Sequence, residues 1–345
     1  MNDRFLRACR REPVDTTPVW FMRQAGRSQP AYLALRQRHT LIEICMRPEL
    51  CAEVSLSPLR DLGVDAVVMF ADITLPLKSM GVAFELADGG PRVDRPVRTA
   101  EDVAAVGRFD IDELTGSVLE AIRLVRAASP VPVIGFSAAP FTLASYLIEG
   151  GPSREYAVTK QVMLGQPQTW AALMERLTDM AVRYLRAQID AGIHALQLFD
   201  SWVGCLDPAD YRRFVAPYSR RIFKALAPAG VPAIHFGTGT AGLLGEMAAA
   251  GGDVIGIDWR IGLGAAWAQI GATRSIQGNL DPAALLAPES MLREKTAAVL
   301  AQAAGRPGHI FNLGHGVLPQ TDRARLRMVV DLVHAARPLR AGEPV

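Results

Sequence analysis

The chain has 345 residues, 50% of them hydrophobic and 21% charged, with a formal net charge of +2. That composition is ample for a buried core and excludes a disordered chain, while the mixed charge lacks the basic stripe of a nucleic-acid binder. The length accommodates two average domains or one large α/β barrel.

A charged opening helix ends near Arg11, and its lack of an apolar centre argues against a signal peptide and for a cytoplasmic protein. Residues 18–22 (PVWFM) then read as a short buried strand that Gly26 and Pro30 prevent from continuing. Arg23 and Arg27 emerge there, flanking Gln24, Ala25 and Gly26, with Arg36 as a third guanidinium farther on. Two guanidiniums held close together repel unless anions lie between them, and the arginine fork fits a carboxylate or phosphate. A wet surface loop is the ordinary fate of an arginine, and it suits Arg36 better than the pair.

Residues 47–62 are apolar at helical spacing, and 64–72 form a β-branched run that ends in Asp72. Residues 76–99 are a Gly- and Pro-rich loop excursion with room for a small hairpin; 100–128 read as a long helix and 131–138 as the next strand. The stretch 140–191 is mainly helical, with Pro140, Pro152 and Pro167 marking starts. A strand at 195–202 and a helix at 207–227 follow. Shorter strands at 232–237, 254–259, 274–279 and 309–314 then alternate with helices.

Eight strands separated by helices imply right-handed crossovers and parallel pairing, so the expected fold is α/β, a (β/α)8 TIM barrel spanning 1–345 as a single domain. Arg23, Asp72, Asp200, Ser201, His235, Asp258, Asn279 and His315 all fall at or just past strand carboxyl ends. Those ends make one rim, where such barrels build active sites; a doubly wound sheet would gather ligands there too. Cys9, Cys45, Cys51 and Cys205 show neither zinc spacing nor a disulfide framework and read as buried thiols. Two charge-free windows, 127–148 and 225–245, are long enough to suggest membrane spans. Their prolines and glycines break any spanning helix.

The run W-x-M-R-Q-A-G-R at 20–27, followed by Pro30-Ala31-Tyr32, resembles the N-terminal signature of the uroporphyrinogen decarboxylase family. The likeness recurs in F-A-D-I (70–73), F-S-A-A-P-F-T-L-A-S-Y (136–146), F-D-S-W-V-G (199–204), G-N-L-D-P (278–282) and F-N-L-G-H-G (311–316). Departures are Ala31 and Leu33, where the family more often has Glu and Arg, and Phe141 in place of a tryptophan. The resemblance implies a homodimeric carboxy-lyase that turns the four acetate arms of a tetrapyrrole, uroporphyrinogen III, into methyls with no cofactor and no metal. It also implies that Asp72 accepts the pyrrole N–H groups, and that residues 23–27, Arg36, Tyr146, Ser201 and His315 contact substrate. Asp72 equally suits a cap on the following helix, and Tyr146 a half-buried helix tyrosine.

Two motifs compete with this resemblance. Gly237-Thr238-Gly239-Thr240-Ala241-Gly242 is a G-x-G-x-x-G between a strand and a helix, with Asp258 ending the next strand, as in a nicotinamide-dependent oxidoreductase. It is, however, the fifth unit of a series and not the first of a domain. A zinc-binding H-x-C would be needed for a methyl-transferring barrel, and the triplet here is His235-Phe236-Gly237.

A decarboxylation needs an electron sink. Only four lysines occur (Lys78, Lys160, Lys224, Lys295), and none sits at a strand end suited to a Schiff base. The substrate must therefore supply the sink itself. Protonating a pyrrole ring carbon makes an iminium-like ring that accepts the electrons as carbon dioxide leaves, and a second proton completes the methyl group. An ionised Asp72 beside that cation would stabilise the transition state more than the neutral ring.

Overall fold

The computed structural model describes residues 1–336 except 27, 88 and 89. Its main sheet is parallel and seven-stranded: β1 (Val67–Val68), β4 (Val133–Ala138), β5 (Ala195–Asp200), β6 (Ala233–Gly237), β7 (Val254–Gly256), β8 (Ser275–Gln277) and β9 (His309–Ile310), in that spatial order. Between β1 and β4 the chain makes an antiparallel hairpin of β2 (Phe84–Ala87) and β3 (Gly90–Val93), which occupies the predicted excursion. Helices cover the outside, and β4, β5 and β6 are almost wholly buried, as expected of parallel strands covered on both faces.

The predicted strand at 18–22 is reduced to a single parallel bridge, Val19 with Phe311. Its backbone still reaches both ends of the sheet. Phe311 N donates to Pro18 O (2.8 Å) and Trp20 N to Phe311 O (3.3 Å), while on the other side Asp65 N donates to Val19 O (2.8 Å). The ladder fails because the Asp65 side chain takes the Val19 N–H (2.8 Å). The expected eighth strand is thus an extended segment held partly by a side chain.

The sheet curls strongly. Trp20 Nε1 donates to Gln277 Oε1 (3.0 Å) and Gln277 Nε2 to Gln197 Oε1 (2.9 Å), so residues of β5, β8 and the 18–22 segment meet inside the curve. The buried Gln197 and Gln277 amides both find partners, as burial demands. The predicted helix 100–128 divides into Ala100–Ala105 and Glu113–Ala128 because Thr99 and Asp112 each begin a helix with a capping box. Likewise 207–227 divides at Val215, ahead of Pro217, into Pro208–Phe214 and Ala216–Leu226. All four cysteines are free. Among the described residues no helix is long and apolar enough to cross a membrane.

Candidate active site

A cleft opens at the carboxyl end of the strands, with ≈ 1260 Å³ of empty space counting its mouth. Its apolar side is a row of three phenylalanines from adjacent strands. Phe136 of β4 meets Phe199 of β5 edge-on (centroids 5.6 Å apart), and Phe199 meets Phe236 of β6 in the same way (5.8 Å). All three line the cleft, together with polar groups from the loops and from helix Pro140–Glu149.

Asp72 stands just beyond β1, half-buried and lining the cleft. Its Oδ1 accepts from the backbone N–H of Thr74 (2.9 Å) and from the Thr74 hydroxyl (2.5 Å), a local turn that fixes the carboxylate. Its Oδ2 has no hydrogen bond among the described residues. One oxygen therefore closes a turn ahead of helix Leu75–Ser79, whose N-cap is Thr74 and not Asp72, and the other is left for a ligand.

Arg23 lines the same cleft in a left-handed backbone conformation (φ 60). For a residue with a Cβ that costs about 1–2 kcal/mol. The turn lays its side chain across Gly316, where an added Cβ would come within 2.5 Å of Arg23 Cδ and 2.8 Å of Cγ. Ala25 and Gly26 also line the cleft. Arg27 lies outside the described residues.

Gln24 and Arg36 are placed away from the cleft. Gln24 is fully buried, its oxygen accepting from Phe21 N (3.0 Å) and its amide donating to Ala66 O (3.0 Å), so its hydrogen-bonding capacity goes into bracing the turn. Arg36 is exposed at the end of helix Pro30–Arg36 and donates to His39 O (2.8 Å).

Three further groups join Asp72 and Arg23. The Ser201 hydroxyl, just past β5, faces the cleft without a hydrogen bond among the described residues. Tyr146, in helix Pro140–Glu149, stacks edge-on against Trp202 (6.0 Å), and burial pushes its pKa up to about 12, so it remains a phenol that can donate. His315 Nδ1 accepts from Gly316 N (2.7 Å), which assigns the proton to Nε2. Burial, with Arg23 and Arg260 nearby, lowers its pKa to about 4. At neutral pH it is a neutral donor and a poor source of catalytic protons.

His309 in β9 is lowered to about 4 as well, by burial, with its Nε2 bonded to Gly278 O (2.9 Å). Because both folded-state values lie below the ordinary 6.5, the unfolded chain takes up protons first as pH falls. Stability should be complete above pH 6.5 and decline towards pH 4, by on the order of 3 kcal/mol for each histidine. Urea unfolding at pH 7.5 and 4.5 measures this; His309→Gln, which can still donate to Gly278 O, should show a shallower decline.

The glycine-rich turn at 237–242 serves close packing. Gly204 lies against the backbone of Thr238 and Gly239, and a Cβ on Gly204 would collide with both. Asp258, which a dinucleotide site would turn towards a ribose, is buried. Its Oδ2 accepts from Gly239 N (2.6 Å) and pairs with Arg260. His235 is also buried, behind the sheet, and among the described residues no group of three or more His, Cys, Asp or Glu is placed to hold a metal. The phenylalanine row went unnoticed in the sequence, because a buried aromatic in a strand looks the same whether it faces core or cleft. The only signal was its recurrence near the ends of three successive strands.

The family described as Uroporphyrinogen decarboxylase (URO-D) matches residues 1–336. A uroporphyrinogen decarboxylase from Sorangium cellulosum is 53% identical over 100% of this chain and 99% of its own. One from Thermus thermophilus is 54% identical over 96% and 98%. Among solved structures, a methyltransferase from Methanosarcina mazei superposes with a TM-score of 0.74, covering 96% of this chain and 97% of its own, at 22% identity. At that identity the likeness shows the fold alone.

Proposed function

The chain belongs to the uroporphyrinogen decarboxylase family, and from that premise we propose how its cleft removes the four acetate carboxyls of uroporphyrinogen III to leave coproporphyrinogen III. Asp72 is the centre of the reading. The observation that carries it is a carboxylate fixed through one oxygen by Thr74, with the other oxygen free in a cleft faced by three phenylalanines. The free Oδ2 accepts the pyrrole N–H groups while the macrocycle covers the aromatic row.

The reaction then follows from the charge arrangement. A proton added to a ring carbon leaves a cationic pyrrole; the C–CO₂ bond breaks and its electron pair enters that ring; a second proton on the former acetate carbon makes the methyl, and the ring carbon then gives up the first proton to restore the neutral pyrrole, so that each carbon dioxide lost takes up one proton net. Asp72 lies beside the cation in the transition state and beside a neutral ring before it, which is the condition for catalysis over mere binding. A unit charge pair at 4 Å is worth roughly 4 kcal/mol at an effective dielectric of about 20, against about 1 in water. Arg23 and Arg27 hold substrate carboxylates, and Ser201, Tyr146 and His315 Nε2 donate to others. With His315 neutral, the proton comes from a substrate carboxyl or a water.

The extended 18–22 segment, bonded to both ends of the sheet, supports reading the fold as a closed (β/α)8 barrel forming one domain. Family membership supports a cytoplasmic homodimer that needs no added cofactor. Incubation with the reduced porphyrin in air-free buffer, with carboxyl loss followed by chromatography, tests the activity. Products with seven, six, five and four carboxyls are expected; recovery of the octacarboxylate alone would overturn the reading.

A further inference from the structure

Behind the cleft lies a second polar cluster that the reaction does not touch. Asp200 closes β5 between two cleft residues, Phe199 and Ser201, so its own side chain points the opposite way, into the layer between sheet and helices, and is fully buried. Its Oδ1 receives the Thr142 hydroxyl at 3.4 Å. Its Oδ2 lies 3.9 Å from His235 Nε2 on β6, and neither atom has a hydrogen-bond partner among the described residues. Tyr211 Oη and Ser219 Oγ, in helices Pro208–Phe214 and Ala216–Leu226, are likewise buried and have no hydrogen-bond partner among the described residues, and burial, with Asp200 second to it, pushes the Tyr211 pKa up. A carboxyl in so poorly satisfied a setting is costly for the fold, and burial raises the Asp200 pKa accordingly.

What the carboxyl connects gives it a purpose. Thr142 and Tyr146 are four residues apart in helix Pro140–Glu149 and so share one face of it. The backbone agrees, since Ala139 N, at the start of that helix, donates to Phe199 O (2.8 Å). Asp200 is covalently joined to Ser201, and through Thr142 it grips the helix that carries Tyr146. We propose that Asp200 is a positioning residue for the decarboxylation: its tie to Thr142 sets the spacing of the Ser201 and Tyr146 hydroxyls across the cleft, with His235 backing it from the next strand. It touches no substrate and acts through those two hydroxyls alone.

This inference rests on the proposed reaction, and its test separates the two. Asp200→Leu keeps the side-chain shape but offers no acceptor to the Thr142 hydroxyl, and it is expected to lower kcat/KM about tenfold or more, because misplacing a binding group by a fraction of an ångström is enough to do so. In a Ser201→Ala/Tyr146→Phe background the same substitution should cost less than about twofold, since the groups it positions are gone. A purely structural role would cost the same factor in both backgrounds, and that result overturns the inference. Thr142→Val repeats the cycle from the other end of the tie and stands in if Asp200→Leu fails to fold; Thr142→Ser, which keeps the hydroxyl, should restore activity. If the wild-type enzyme itself fails to decarboxylate the porphyrinogen, the proposed reaction falls and this inference with it. If it turns over and the cycles are additive, only the positioning role is lost.

Discussion

Replacing Asp72 with asparagine should lower kcat by about 10²–10³-fold, the effect of removing one preorganised electrostatic group, while substrate affinity changes far less. The amide oxygen can still accept from the Thr74 N–H and hydroxyl, so the turn at 72–74 survives. The change falls on the other atom. Oδ2, the acceptor facing the macrocycle, becomes an NH₂ donor and the negative charge disappears. On the proposed reading, affinity rests mostly on guanidiniums holding carboxylates and on apolar area buried against Phe136, Phe199 and Phe236, which line the cleft and which the substitution leaves in place. Stopped-flow binding beside steady-state turnover separates the two quantities. Near-normal turnover would remove Asp72 from the chemistry.

How far the sequence could foresee this site depended on what each residue bonds to. Arg23, Asp72, Ser201 and His315 were legible from their places at strand ends, because a parallel α/β fold gathers those ends at one rim. Tyr146 rested on family likeness, since a tyrosine in a helix carries no mark of the surface it faces. Gln24 was misplaced for a tertiary reason: its amide is consumed by Phe21 and Ala66, and Ala66 is remote in sequence. Arg36 turned back to a carbonyl of its own loop. The 18–22 strand was foreseen by hydrophobicity, but its loss of regular pairing came from the Asp65 side chain capturing the Val19 N–H, an event no local pattern encodes. Asp200 was visible only as one more rim acid. Its orientation away from the cleft follows from the strict alternation of a strand once Phe199 and Ser201 are known to face inwards.

The second large effect is expected at a residue with no side chain. Gly316→Ala should raise KM by about 10- to 100-fold, with kcat less affected and the melting temperature within about 2 °C of wild type. The position has an ordinary backbone conformation, so alanine fits locally. The new methyl, however, would lie 2.5 Å from Cδ, 2.8 Å from Cγ and 3.2 Å from Cβ of Arg23, in space that the guanidinium stem now fills. Arg23 is exposed, with a long side chain that can change rotamer, whereas the chain around Gly316 is fixed to the 18–22 region, with Val317 N donating to Met22 O (2.9 Å). The arginine should therefore swing out and not the backbone. Losing one charge-assisted contact to a substrate carboxylate costs about 1.5–3 kcal/mol, which at 1.4 kcal/mol per decade gives the stated range. The mechanism of the effect can be checked by adding Gly316→Ala to Arg23→Ala: with no side chain left to displace, the second change should add almost nothing. A full additional loss in that background would mean that the methyl acts elsewhere, and that the path of Arg23 over Gly316 is not what delivers it to the substrate.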